Sequence, residues 1–267
     1  MKTSGAFIVG LVASVLLLQS CAQSPTGRTK LAFYSSNEMA ELGATSFEEM
    51  KSELKISKNQ KLTNFVQCVA DNILPNVDEN AHDGDWEVVL FESELVNAFA
   101  LPGGKIGVYT GILNVTENQH QLAAIMGHEI AHVIAEHSNE RMSSNKLAEG
   151  GLTLTQLLLS DKDDSTKELA EFTYNVSTQL LILMPYGRSH EKEADIIGQE
   201  LMAKSGFDPK AAIELWKNMA KLGTAVQPEF LSTHPSNDTR IEKLTKHLTA
   251  TQPMYDASQQ KPKCRKY

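Results

Sequence analysis

The pentad His128-Glu129-Ile130-Ala131-His132 constrains this chain more than any other stretch. Positions four apart on an α-helix differ by about 40° around its axis, so a helix here points both imidazoles the same way. Two rings on one face can share one metal ion. The Glu129 carboxylate, one residue past the first ring, then reaches a water beside that ion. The flanks agree with a helix. From Gln119 to His137 there is no proline, and Leu122, Ile125, Met126, Ile130, Val133 and Ile134 recur at helical spacing, with Asn118 placed as an N-cap. With 8 histidines in 267 residues, such a pentad rarely arises by chance. The chemistry it implies is metal-assisted hydrolysis. The bland alternative is a buried helix whose histidines only satisfy hydrogen bonds.

Catalytic zinc usually takes three protein ligands and keeps one position for water. After Pro185 and Gly187, the run Arg188 to Gly198 reads as a charged helix in which Glu191 and Asp195 are four apart and share a face. Glu191 is the candidate third ligand beside His128 and His132, for one Zn²⁺ per chain. Asp195 is the candidate carboxylate that orients a ligand histidine through its free ring N–H. Glu193 falls on another face and is expected to meet solvent. An ordinary charged helix surface is the competing reading of this run.

Four blocks in order now carry a resemblance: Asn97 to Gly104, the His128 pentad, Glu191 to Asp195, and Thr233-His234-Pro235 with Arg240 downstream. Over Glu38 to Leu248 the chain resembles the zinc metallopeptidase family that includes HtpX, the CAAX prenyl endopeptidases, BepA and LoiP. It shows no tetratricopeptide repeats, and in outline it is most similar to the LoiP-type outer-membrane lipoprotein proteases. The resemblance implies an α+β, mainly helical fold: a gluzincin-type zincin domain with a small β-sheet beside the active-site helix. It supports Glu191 as the third ligand. It also gives the strand at Asn97, Ala98 and Phe99 a role in binding extended peptide substrates through their backbone; a plain structural hairpin is the alternative. Glu129 is the expected general base. His234 and Arg240 are expected at the developing oxyanion. Relatives also suggest a second role for His234, as a fourth ligand that closes the site and leaves it latent.

The ends of the chain read differently. Lys2 and the uncharged run Ala6–Leu18 have the form of a secretory signal. Leu18-Gln19-Ser20-Cys21 is similar to a bacterial lipoprotein cleavage box, which makes Cys21 the expected lipid acceptor and places the protein in the periplasm, anchored to the outer membrane. Loss of Lys2 with that signal moves the net charge from −8 to −9, and the only basic cluster is the short tail Lys261 to Lys266. Nucleic acid is therefore excluded as a partner. Of the 3 cysteines, Cys68 and Cys264 remain. In an oxidising compartment they can bridge, pinning an otherwise floppy tail; a buried thiol and a free tail thiol are the alternative.

The expected organisation is a signal at 1–20, a tether at 21–37, one peptidase domain at 38–250 and a tail at 251–267. Helices are predicted at Glu38–Lys55, Lys58–Leu74, Asn118–His137, Lys146–Leu159, Ser165–Met184, Ser189–Lys204, Pro209–Leu222 and Asp238–Thr249, with a small sheet around Trp86–Val108 in which Phe91 to Val108 reads as two strands joined at Pro102-Gly103-Gly104. The Arg141–Pro185 segment is either core or a lid. The expected function is membrane-anchored zinc endopeptidase action on misfolded or stalled envelope proteins. Its partners would be protein or peptide substrates, the membrane, and envelope assembly or protease factors. A chaperone-like client binder with a latent site is the competing class.

Overall fold

A computed structural model of the chain describes residues 21–79, 81, 84–147, 186–221, 229–234 and 238–266. The signal-like segment, most of the helix expected at Lys146–Leu159, the helix expected at Ser165–Met184 and the lid question lie outside them. The described chain opens on a hairpin, β1 (Cys21–Gln23) antiparallel to β2 (Thr29–Leu31). This is a correction to the tether: the segment is paired and docked on the catalytic helices. Helix α1 (Ser36–Glu53) starts on a capping box between Ser35 and Glu38, and α2 (Gln60–Ile73) starts on the Asn59 side chain.

Three strands follow where two had been expected. β3 (Glu87–Phe91) runs parallel to β5 (Lys105–Tyr109), and β4 (Ala98–Leu101) pairs antiparallel with β5 in the order β3-β5-β4. The turn from β4 to β5 is Pro102-Gly103-Gly104, whose glycines adopt φ +80° and +71°, backbone that a side chain would strain. The strand period of two divides the sheet's side chains between two cores. Leu90, Ala98, Ala100, Ile106 and Val108 join the main core with α2 and the metal-binding helix. Phe91, Phe99, Leu101 and Tyr109 join a second core with Phe47 of α1.

After the short α3 (Thr110–Leu113), α4 (Gln119–Ile134) carries the pentad. It ends three residues before the expected His137. Glu136 has φ +55°, the left-handed backbone that stops a helix, although glycine or asparagine usually fills it. Lys30 of β2 secures the turn, donating to the Ala135 carbonyl at 3.1 Å and to Glu136 Oε2 at 2.5 Å. Residues 137–147 then form a new helical stretch that periodicity had not predicted before Lys146.

α5 (Arg188–Lys204), α6 (Lys210–Lys221), α7 (Glu229–Thr233) and α8 (Asp238–Ala257) complete the described fold. α4 and α5 meet at Gly127 and Gly198. A Cβ at Gly198 would lie 2.8 Å from the His128 backbone nitrogen, so only glycine lets the two ligand-bearing helices touch. Gly198→Ala is expected to cost about 1–3 kcal/mol by forcing backbone apart, read as a lower denaturant midpoint. An unchanged midpoint would show that the helices can separate freely.

α8 continues past the expected Thr249, through Pro253, to Ala257. The tail beyond it is not floppy. Cys264 is bonded to Cys68 of α2, its N–H donates to Gln119 Oε1 at 2.6 Å, and Gln119 Nε2 donates to the Pro262 carbonyl at 2.7 Å. Lys266 caps the Leu113 and Thr116 carbonyls. The C-terminus thus straps the start of α4.

Candidate metal centre

Asn118 accepts from the N–H groups of His120 at 2.9 Å and Gln121 at 3.1 Å, which fixes where α4 begins and hence which face its residues present. Helical spacing then aims His128 and His132 at one point, their Nε2 atoms 3.1 Å apart. α5 delivers Glu191, with Oε2 3.5 Å from His128 Nε2 and Oε1 3.4 Å from His132 Nε2. Ligands about 2.0–2.2 Å from a tetrahedral zinc stand roughly 3.3 Å from one another, so these separations suit that ion. All three side chains are buried. Glu191 Oε2 has no donor aligned with it, although an Arg240 nitrogen lies 2.6 Å away, so a lone pair remains for a metal.

His234, just past α7, is the fourth member of this group: its Nδ1 is 3.2 Å from His128 Nε2 and 2.9 Å from Glu191 Oε1. Its Nε2 faces Glu129 Oε1 at 3.3 Å. Burial pushes the Glu129 carboxyl up to about 7 despite His234 nearby. Glu191 is held well below the usual range because His234 and His128 overcome its burial, while burial drives His132 well below an ordinary histidine. An ionised carboxylate and a neutral imidazole are the states a cation needs. His128 departs from this: Glu191 and Asp195 outweigh its burial and raise it, so a proton competes with metal there.

Asp195 is where the spacing put it, 3.2 Å from His128 Nδ1. Arg240 has a different place from the one expected. Its guanidinium donates to Asp195 at 2.6 and 2.8 Å, pairs with Glu191 and lies over the Trp216 ring at 3.6 Å. Those contacts leave it supporting carboxylates rather than aimed at a substrate oxygen. A second correction concerns Glu193, which is buried, not solvated. It accepts from Thr26 Oγ1 at 2.6 Å and from Arg28 at 3.0 and 3.2 Å, and it meets His137 Nε2 at 3.1 Å.

β4 lies at the end of the sheet order, beside α4, with the Ala100 backbone against the Glu129 carboxylate. Phe230 N–H of α7 donates to the Val96 carbonyl at 3.0 Å, two residues before this strand. The Phe99 ring turns away into the second core, Asn97 Oδ1 accepts from Ala98 N–H, and the Asn97 N–H and carbonyl pair with Leu95 and Tyr109, which leaves the Ala98 carbonyl as the backbone group of these three residues that faces away from β5. A cavity of about 380 Å³ opens beside His132, lined by Met39, Pro102, Val133 and Ser138 among others.

Sequence reasoning missed His137, Tyr186 and Arg28. Tyr186 stacks on the His132 ring with centroids 3.9 Å apart. His137 Nδ1 is 2.8 Å from His132 Nδ1. On an unbroken helix, five positions carry a residue about 140° round the axis, away from the metal face. The left-handed turn at Glu136 is what brings it back.

The chain is similar to several known proteins. A mitochondrial metalloendopeptidase of Bos taurus, OMA1, is 32% identical over 253 residues, 88% of this chain and 47% of that protein. The OMA1 of Schizosaccharomyces pombe is 36% identical over 174 residues, 64% of this chain and 49% of its own. The beta-barrel assembly-enhancing protease of Escherichia coli is 23% identical over 256 residues, 93% of this chain and 52% of that protein. The chain thus spans about half the length of the curated relatives it matches. Their names correct the expected location. Relatives from mammals, fish, plants and yeasts are mitochondrial proteases, not periplasmic outer-membrane lipoproteins, and among the described residues no helix is long and apolar enough to cross a membrane. The expectation of an outer-membrane lipoprotein in the periplasm is withdrawn. The model of Peptidase family M48 matches residues 57–248, a span that holds the pentad, Glu191, Asp195, His234 and Arg240, and the chain belongs to that family of zinc metallopeptidases.

Proposed function

We propose that this chain is a zinc endopeptidase that cuts polypeptides which have lost, or not reached, their fold. The observation that carries the reading is the meeting of His128, His132 and Glu191 at tetrahedral spacing with Glu129 and strand β4 alongside. Zinc held by the three ligands supplies Lewis acidity, polarising the scissile carbonyl and easing ionisation of the attacking water. Glu129 takes that water's proton and returns it to the leaving amine. Asp195, held by Arg240, fixes the His128 ring through Nδ1. An extended substrate adds to β4 through backbone hydrogen bonds, which favours unfolded over folded clients, and the cavity beside His132 accepts a side chain. The name of the Escherichia coli relative, with its assembly-enhancing role, supports protein quality control as the setting.

The test is cleavage of unfolded casein by the purified full chain. Loss on chelation and recovery with zinc is the expected result, and cleavage that survives complete zinc removal would refute the reading. A latent form of the same site is favoured by His234, whose ring stands with the other three donors inside one group. Four protein donors leave no position for water. His234→Ala is therefore expected to bind zinc and to cleave casein faster than wild type under the conditions where wild type is quiescent. A variant never faster than wild type would remove the latch and leave His234 at the oxyanion.

A further inference from the structure

His128 and His132 present their Nε2 atoms to the same point, and each has its second ring nitrogen engaged. Behind His128 stands a carboxylate–arginine pair, Asp195 with Arg240. Behind His132 a second such pair stands one residue further back. His132 Nδ1 meets His137 Nδ1 at 2.8 Å, and His137 Nε2 meets Glu193 Oε2 at 3.1 Å. Glu193 is held by Arg28 and Thr26 of the N-terminal hairpin. Arg28 also grips Glu140 with two bonds of 2.6 and 2.7 Å, so it ties α5 to the helical stretch that bears His137.

Resting on the zinc reading above, we propose that His137 is a positioning residue for the metal and that the hairpin residue Arg28 is the last link of the relay. The proton inventory allows one arrangement. Metal on His132 Nε2 requires the His132 proton on Nδ1, where it is donated to His137 Nδ1. A neutral His137 then carries its single proton on Nε2 and donates it to the Glu193 carboxylate. A proton on His137 Nδ1 instead would drive the His132 proton onto Nε2 and block the metal. Glu193, kept ionised and fixed by Arg28, selects the productive tautomer of a ring two residues away through space. The hairpin that precedes the catalytic domain in sequence is by this account part of the metal site.

Zinc affinity tests it, measured by competition with a chromophoric chelator on the full chain. His137→Leu, which keeps the volume and removes the acceptor, is expected to weaken zinc about 10–100-fold, the range for partners of ligand histidines. His137→Asn places an acceptor oxygen near the Nδ1 position and is expected to restore most of that loss. Arg28→Met, two links out on the hairpin, weakens zinc in the same direction by less. Equal losses for Leu and Asn would mean that His137 only packs, and would overturn the proposal. So would wild-type affinity in a folded Arg28→Met, which decides the matter even where the His137 variants do not fold. Failure of wild type to bind zinc would overturn the zinc reading and this inference together; zinc on wild type with unaltered variants overturns this inference alone.

Discussion

Glu129→Gln is expected to lower peptide hydrolysis by about 10²–10⁴-fold while zinc stays bound, because the amide keeps the shape and loses the base. Glu129 is outside the group of side chains whose donor atoms converge, so the ligand set is untouched by the change. The pH profile supplies a second readout. Burial places the Glu129 carboxyl at about 7, and a base must be ionised to act. Zinc beside the carboxyl favours its ionised form, so at saturating zinc the rate rises with pH below that value, and the residual rate of the variant lacks that limb. The sign for stability is opposite: a carboxyl raised in the fold costs stability as pH climbs from about 4.5 through 7, since the unfolded chain ionises first. Full activity in Glu129→Gln would sink the mechanism, whatever the metal content.

Arg240→Ala is expected to cost about 3–5 kcal/mol of stability in chelator-treated protein, the range for stripping one partner from a buried ion pair. Arg240 is 4% exposed, and its loss leaves Asp195 and Glu191 buried together without their cation. Arg240→Lys is expected to recover little, because an ammonium cannot hold Asp195 through two parallel bonds and stack on Trp216 at once. Denaturant midpoints of the zinc-free variants read the effect. A stable Arg240→Ala with normal zinc and a lost turnover would return Arg240 to the substrate, where the sequence alone had put it.

The metal ligands were legible because helix geometry is local. Four-residue spacing puts His128 with His132, and Glu191 with Asp195, on shared faces wherever those helices lie, and the Asn118 cap was visible as the residue before the apolar pattern. The β4–β5 turn was legible for a similar reason, since adjacent glycines after a proline have few other uses. The disulfide was one of two readings open at Cys68 and Cys264, and the fold decides it by bringing the two cysteines together.

What depended on packing was not legible. A charged residue on a helix shows its face but not its partner, so Glu193 read as solvated until Arg28, 165 positions away, was seen to cover it. Arg240 read as an oxyanion donor because nothing local shows that Asp195 and Glu191 already claim it. His137 was lost to a turn at Glu136 that carries no glycine signal and is held by Lys30 from another strand. The sequence by itself determined that His128 and His132 face the same way, because periodicity acts over a single turn of helix. Only the tertiary structure decided which buried charges support them, because a buried charge takes its partner from whatever distant segment the fold packs against it.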